Sequence, residues 1–328
     1  YYRKNNTSPS ERSRSMVLSN EVVRWQRRLD SWISLSLDKP IKKLPPKVLS
    51  ILRLAYYEYI MDDNIPVHAA VDSWVELSKK ITNKKLSGLI NAVLRKAHSI
   101  NKKMPIPNQD LASWQSFPDW MIANWVNQFG KSKTNKLIDY LNQSHGTDLR
   151  INLPIDKVES RLLDQGISWS NSPNSKNFIR INSGLRKILS SQIHLSGKVF
   201  VQNRAAGAVV EILNPKPSET ILDVCAAPGT KSIYIFQKMN QSGNLFASDI
   251  NSSQVAKSFK RCNELELSID WKVKDATKDI FPMADRILID APCTGTGVIS
   301  RNPDIKWRKD SKDTDKMSAY QIKILFHI

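Results

Sequence analysis

The sequence lacks any apolar run of roughly 18 residues, the length needed to span a bilayer. Its first residues are polar, without the apolar stretch of a signal peptide, so neither membrane insertion nor export is expected. Cysteine is scarce: Cys225, Cys262 and Cys293 are the three in 328 residues. They form no metal-ligand spacing and no even disulfide framework, so no metal is expected and a reducing, cytoplasmic setting follows. Negative charge is also short, with 31 Asp and Glu against 49 Lys and Arg and a formal charge of +18. That imbalance points to a polyanionic partner, nucleic acid ahead of a membrane surface. Internal repeats are absent, and the polar first fifteen residues form the one low-complexity tract.

What is present suits two or three domains with real cores, since 41% of the residues are hydrophobic. Residues 1–100 read as an all-α domain, because apolar residues recur at three- and four-residue intervals from Met16 to about Ser99. Val22, Val23, Trp25, Leu29, Trp32 and Ile33 mark a first helix, and Pro45-Pro46 open a second that carries Val48 to Tyr59. A third runs from near Pro66 through Trp74 and Leu77, and a fourth from Asn83 through Leu94. A small bundle is predicted, with its Trp and Tyr in the core.

Residues 101–194 are expected to form a linker and a small α/β connecting module. Pro105 and Pro107 break the helical pattern in the polar segment 101–110. Helical spacing returns over 111–141, and short strands are predicted at 150–152 and 178–181 around a helix near 158–165. Residues 195–328 alternate strands (220–225, 244–249, 270–274, 286–290) with helices (231–239, 252–265). This alternation predicts an α/β domain of Rossmann-like type, a parallel sheet with helices on both faces.

The run Asp223-Val224-Cys225-Ala226-Ala227-Pro228-Gly229-Thr230-Lys231 lies where the first of these strands gives way to a helix. Ligands of open α/β sheets bind at such carboxyl ends, and Ala226, Ala227 and Gly229 leave room for close backbone approach. The run is neither a dinucleotide fingerprint nor a phosphate loop. Acids close successive strands instead: Asp223, Asp249, Asp275 and Asp290. One at the second strand suits ribose hydroxyls and one after the third suits an adenine amino group, while carboxylates complement a cationic sulfonium. The four in order favour S-adenosylmethionine, although any single one also suits a helix cap or a turn.

The last strand delivers Asp290-Ala291-Pro292-Cys293 to the same edge. A lone cysteine there is usually a small buried hydrophobe. Here Thr294-Gly295-Thr296-Gly297 follows, then Arg301-Asn302-Pro303-Asp304-Ile305-Lys306-Trp307, and the whole resembles the RNA 5-methylcytosine methyltransferase family. The run 223–231 looks like that family's first cofactor motif, and Val201 to Ala206 like the segment before it. Gly88 to Lys96 looks like the last helix of a domain similar to the antitermination factor NusB, so the resemblance covers nearly the whole chain.

The resemblance implies methylation of cytosine C5 in 16S ribosomal RNA by an enzyme that uses S-adenosylmethionine, and a monomer is expected. Cytosine C5 is a weak nucleophile until a thiolate adds to C6. By the resemblance Cys293 serves product release, Asp290 positions and polarises the base beside the cofactor, and Lys231 touches the base. The attacking cysteine is implied in a Thr-Cys pair downstream of Ile328, so the chain is expected to be truncated, its catalytic domain incomplete and inactive as it stands. Basic clusters, including Arg301, Lys306, Arg308 and Lys309, suit phosphate contacts, with a solvated face as the plainer reading of each. Two other functions stay open. One is a noncatalytic RNA-binding or ribosome-assembly factor with a vestigial cofactor fold. The other is methylation of an exocyclic amine, which Pro292-Cys293 argues against.

Overall fold

The computed structural model describes residues 8–62, 67–97, 111–172 and 177–328. The chain divides into two compact units, residues 1–144 with 295–311 and residues 145–294 with 312–328. Among the described residues no helix is long and apolar enough to cross a membrane.

The first unit is helical. α1 (Pro9–Arg24) begins inside the tract read above as low in complexity, because Ser8 and Glu11 form a reciprocal capping box. The Glu11 amide donates to Ser8 Oγ at 3.2 Å, and the Ser8 amide donates to the Glu11 carboxylate at 2.6 Å. Trp25 interrupts the helical path before α2 (Gln26–Leu35), so the single first helix expected from spacing is two. α3 (Pro46–Ile60), α4 (Val67–Ile81) and α5 (Lys84–Lys96) follow the predicted pattern. The expected start near Pro66 and the segment 101–110 lie outside the described residues.

Leu29, Trp32, Leu52, Tyr56, Ile90 and Leu94 are wholly buried together, which places these aromatics in the core as the spacing implied. The buried Tyr56 hydroxyl donates to Ser36 Oγ at 2.8 Å and so keeps its polar tip satisfied. α6 (Leu111–Gln115) and α7 (Asp119–Leu141) belong to this unit, α7 being kinked at Gly130, where φ is +77°.

The second unit holds two sheets. β1 (Thr147–Ile151), α8 (Ile155–Asp164), β2 (Trp169–Asn171), β3 (Phe178–Ile181), α9 (Leu185–Leu189), α10 (Gln192–Leu195) and β4 (Val199–Val201) build an antiparallel sheet of order β2-β3-β1-β4. β2 and β4 are three-residue strands too short to show a period. Next come α11 (Arg204–Leu213), β5 (Thr220–Val224), α12 (Thr230–Lys238), β6 (Asn244–Asp249), α13 (Ser252–Glu264), β7 (Asp270–Val273) and β8 (Arg286–Ile289). Their sheet is parallel throughout, in the order β7-β6-β5-β8, as the alternation predicted.

Buried Arg150 on β1 ties α12 to the smaller sheet, donating to Gln202 Oε1 at 2.6 Å and to Gln237 Oε1 at 2.7 Å. Its guanidinium lies over the rings of Phe200 and Tyr234, 4.5 and 4.2 Å from their centroids. The chain then gives α14 (Ile305–Arg308), packed in the first unit, and α15 (Ser311–His327), whose buried Ile324 joins the second.

Candidate functional site

Strand register assembles the site. β5 is flanked by β6 and β8, so the strand order reverses at β5, and its carboxyl end is the natural crevice. Val224 pairs with Ser248 on one side and Ile289 on the other. The next residue of each strand is therefore Cys225, Asp249 or Asp290, and these form one row along the carboxyl edge.

The turn after β5 is shaped by its backbone. Cys225 has φ +60°, a left-handed conformation that frees the following amides to point across the edge. The Ala226 amide donates to the Ser248 carbonyl at 2.8 Å, and the Ala227 amide to Asp249 Oδ2 at 3.2 Å. Gly229 has φ +92°, and a Cβ there would stand 2.9 Å from the Trp271 ring, so glycine is required before α12 can start. Ala226 is buried, Pro228 follows it in the same turn, and both present no polar side chain.

The acids divide by environment. Asp223 is wholly buried: Ser232 Oγ donates to its Oδ2 at 2.6 Å, while Oδ1 has no partner. Burial pushes its pKa up to about 7, with Asp290 and Asp249 adding to the rise against Ser232 and Lys231. Asp249 also accepts the Asn251 amide at 2.9 Å. Asp275 accepts the Thr277 amide at 2.9 Å and its hydroxyl at 2.7 Å, bonds that hold its pKa below the usual carboxylate range. Here the turn role considered for a single acid is visible in the geometry. Asp290 pairs with Lys231 of α12, which brings two of the residues singled out in the sequence into one ion pair.

The cysteines differ as sharply. Cys293 is exposed, and Cys262 is buried, its sulfur accepting from the Trp271 ring N–H at 3.4 Å. The Cys225 thiol is pushed up to about 11 by burial first, then by Asp249, Asp290, Asp223 and Asp275. One thiol thus senses all four acids, so the edge is a concentrated negative field beside a turn of small residues. That field fits a cationic adenosyl ligand and would repel a triphosphate. Asp223 is too enclosed to reach such a ligand directly.

Sequence reasoning read an amphipathic segment at the end of the chain but did not place α15 at this site. Gln321 Nε2 donates to the Pro292 carbonyl at 2.8 Å, and buried Ile324 packs with Leu222, Val224 and Ala276. The spacing Tyr320, Ile324, Ile328 was the available signal. Among the basic residues, Lys306 is corrected: it is wholly buried and cannot meet phosphate. Its Nζ lies within hydrogen-bond distance of the carbonyls of Arg24 (3.2 Å) and Ser116 (3.1 Å) and of Asn142 Oδ1 (2.7 Å), 3.7 Å from the Phe117 ring centroid. Burial, then Arg24, pushes its pKa down to about 6. Arg301 and Arg308 remain exposed.

Comparison with known proteins gives the family and the fold. Residues 210–328 match the family described as 16S rRNA methyltransferase RsmB/F, and residues 1–99 match the NusB family. Relatives include the "Probable ribosomal RNA small subunit methyltransferase B" of Synechocystis sp., 33% identical over 92% of this chain and 70% of its own length. The ribosomal RNA small subunit methyltransferase B of Proteus mirabilis is 29% identical over 98% of this chain and 77% of its own. Among solved structures, PH0851 shares the fold with a TM-score of 0.78 at 21% identity, over 98% of this chain and 75% of its own. NSun6 from Pyrococcus horikoshii, solved with SFG, gives a TM-score of 0.58 at 18% identity, over 65% of this chain and 79% of its own. On the identity and coverage of these relatives, the chain belongs to the ribosomal RNA small subunit methyltransferase B family, whose methyl donor is S-adenosylmethionine.

Proposed function

We propose that this protein methylates C5 of cytosine in 16S ribosomal RNA, in the cytoplasm and as a monomer, through a covalent cysteine adduct. The observation that carries the reading is the row of Cys225, Asp249 and Asp290, which sets the Asp290–Lys231 pair beside an acidic, small-residue edge. When bound, S-adenosylmethionine supplies a methyl group activated by a sulfonium. The turn 225–229 and Lys231 line its site. Asp249 holds the ribose hydroxyls and Asp275 the adenine amino group, with the buried Asp223 bracing the turn through Ser232. The field of the four acids favours the cation over neutral or anionic ligands.

Asp290 and Lys231 orient the cytosine and polarise it for addition at C6. A thiolate bonded to C6 makes C5 nucleophilic; after methyl transfer the C5 proton leaves to a base and the thiolate is expelled. Cys293, exposed beside Asp290, serves this release step. Cys225 keeps its proton and Cys262 is enclosed, so neither suits the attack. The family resemblance assigns it to a Thr-Cys pair downstream of Ile328. The substrate base must be unstacked, in a loop or flipped out.

The test is tritium release from C5-labelled cytosine in small-subunit RNA, using the gene product that carries this chain together with S-adenosylmethionine. Release at one cytosine is expected. A folded protein that binds the cofactor and RNA yet releases no tritium would establish the noncatalytic factor instead.

A further inference from the structure

Helix α15 brings an aromatic residue to the acidic edge that the reaction above does not use. Ile324 is wholly buried on Leu222, Val224 and Ala276, and Tyr320, four residues earlier on the same helical face, packs on this core too. Cys225 of the turn, Phe281 after β7 and Ala291 after β8 pack on it as well. Gln321 pins this face of the helix by its bond to the Pro292 carbonyl, 2.8 Å long. The Tyr320 hydroxyl makes no hydrogen bond among the described residues, and burial, then Asp275, Cys225 and Asp249, make its proton harder to lose. A half-buried ring with a protonated, unpartnered hydroxyl is thus held among apolar side chains at an edge lined with acceptors.

We propose that Tyr320 is a binding residue for the adenine end of S-adenosylmethionine, its ring forming a wall of the base site and its hydroxyl donating to the adenosine. The methionine end carries charges and belongs with Asp290 and Lys231. The base is flat and largely apolar, and Tyr320, Phe281 and Ala276 supply the matching surface. Ala276, which packs in the same group as Tyr320, directly follows Asp275, and the reading above assigns Asp275 to the adenine. This inference rests on that assignment of the acidic edge to the cofactor.

The experiment is calorimetric titration of the 328-residue chain and its Tyr320→Phe, Tyr320→Leu and Tyr320→Ala variants with S-adenosylmethionine and with S-adenosylhomocysteine. Thermal unfolding of each variant serves as the folding control. Tyr320→Leu keeps an apolar contact, and it is expected to weaken both ligands by about three- to tenfold, with Tyr320→Ala at least as weak and Tyr320→Phe within about threefold of the parent. Equal losses for the cationic and the neutral ligand mark a base contact. A general disturbance of the acids would penalise the sulfonium more, and that result overturns the proposal. If the parent binds and Tyr320→Leu, folded, binds equally well, Tyr320 is not a cofactor residue and the acidic-edge reading stands. A parent that binds neither ligand overturns both.

Discussion

The signature from Asp290 to Trp307 is continuous in sequence, yet its two halves have different surroundings. Residues 290–294 belong to the second unit, where Asp290 pairs with Lys231 and Cys293 is exposed. Residues 295–311 belong to the first. There Ile299 and Lys306 are wholly buried, the Trp307 ring N–H donates to the Val23 carbonyl at 2.7 Å, and Arg24 donates to the Ser300 carbonyl at 2.8 Å. The first half keeps Asp290 and Cys293 accessible, and the second commits Lys306 and the Trp307 ring N–H to packing. A motif that identifies a family therefore need not be a motif that does chemistry.

This contrast predicts opposite mutational profiles. The largest stability effect is expected at Lys306. Replacing it by Ala leaves a cavity and three acceptors without their donor, two of them buried, and should lower the unfolding free energy by about 3 kcal/mol in denaturant titration. Cofactor affinity in the folded fraction should stay within about twofold; a loss as large as that of a site variant would break the division between the halves. The same lysine gives the sign of a pH effect. Its folded value of about 6 lies below the ordinary 10.5, so between these values the unfolded chain holds more protons. Stability should therefore rise with pH across that window in the wild type, and Lys306→Met should lack this contribution.

Next in size is Asp249→Asn, which leaves the strand intact but weakens acceptance from a ribose. About a tenfold loss of S-adenosylmethionine affinity by calorimetry is expected, with little change in melting temperature. Smallest in stability is Cys293→Ser, an exposed change worth no more than about 0.5 kcal/mol. Its effect belongs to turnover: a protein–RNA adduct should accumulate on denaturing gels. An unaltered adduct level would remove Cys293 from the release step.

How far the sequence shows all this depends on which interactions are local. The parallel sheet was legible because apolar strand segments alternate with helical ones, and strand order then fixes which ends meet. The pairing of Lys231 with Asp290 was half legible, since both residues stood out but only the register brings them together. Lys306 was misread because a lysine among arginines suggests solvent, and its three oxygen partners come from residues 164 to 282 positions away. The break at Trp25 and the cap at Ser8 show a further limit. Apolar spacing runs smoothly through the first, and the second is encoded by polar residues that resemble an unstructured tract.

The register row carries a consequence for how such a site tolerates change. Successive side chains alternate between the faces of a strand, so one residue added to or deleted from β6 or β8 would move the carboxylate about 3.3 Å and turn it to the other face. Swapping one apolar residue for another inside the strand does neither. The site is thus specified by counting: insertions and deletions between residues 244 and 249 or 286 and 290 should be purged far more severely than substitutions at the same positions.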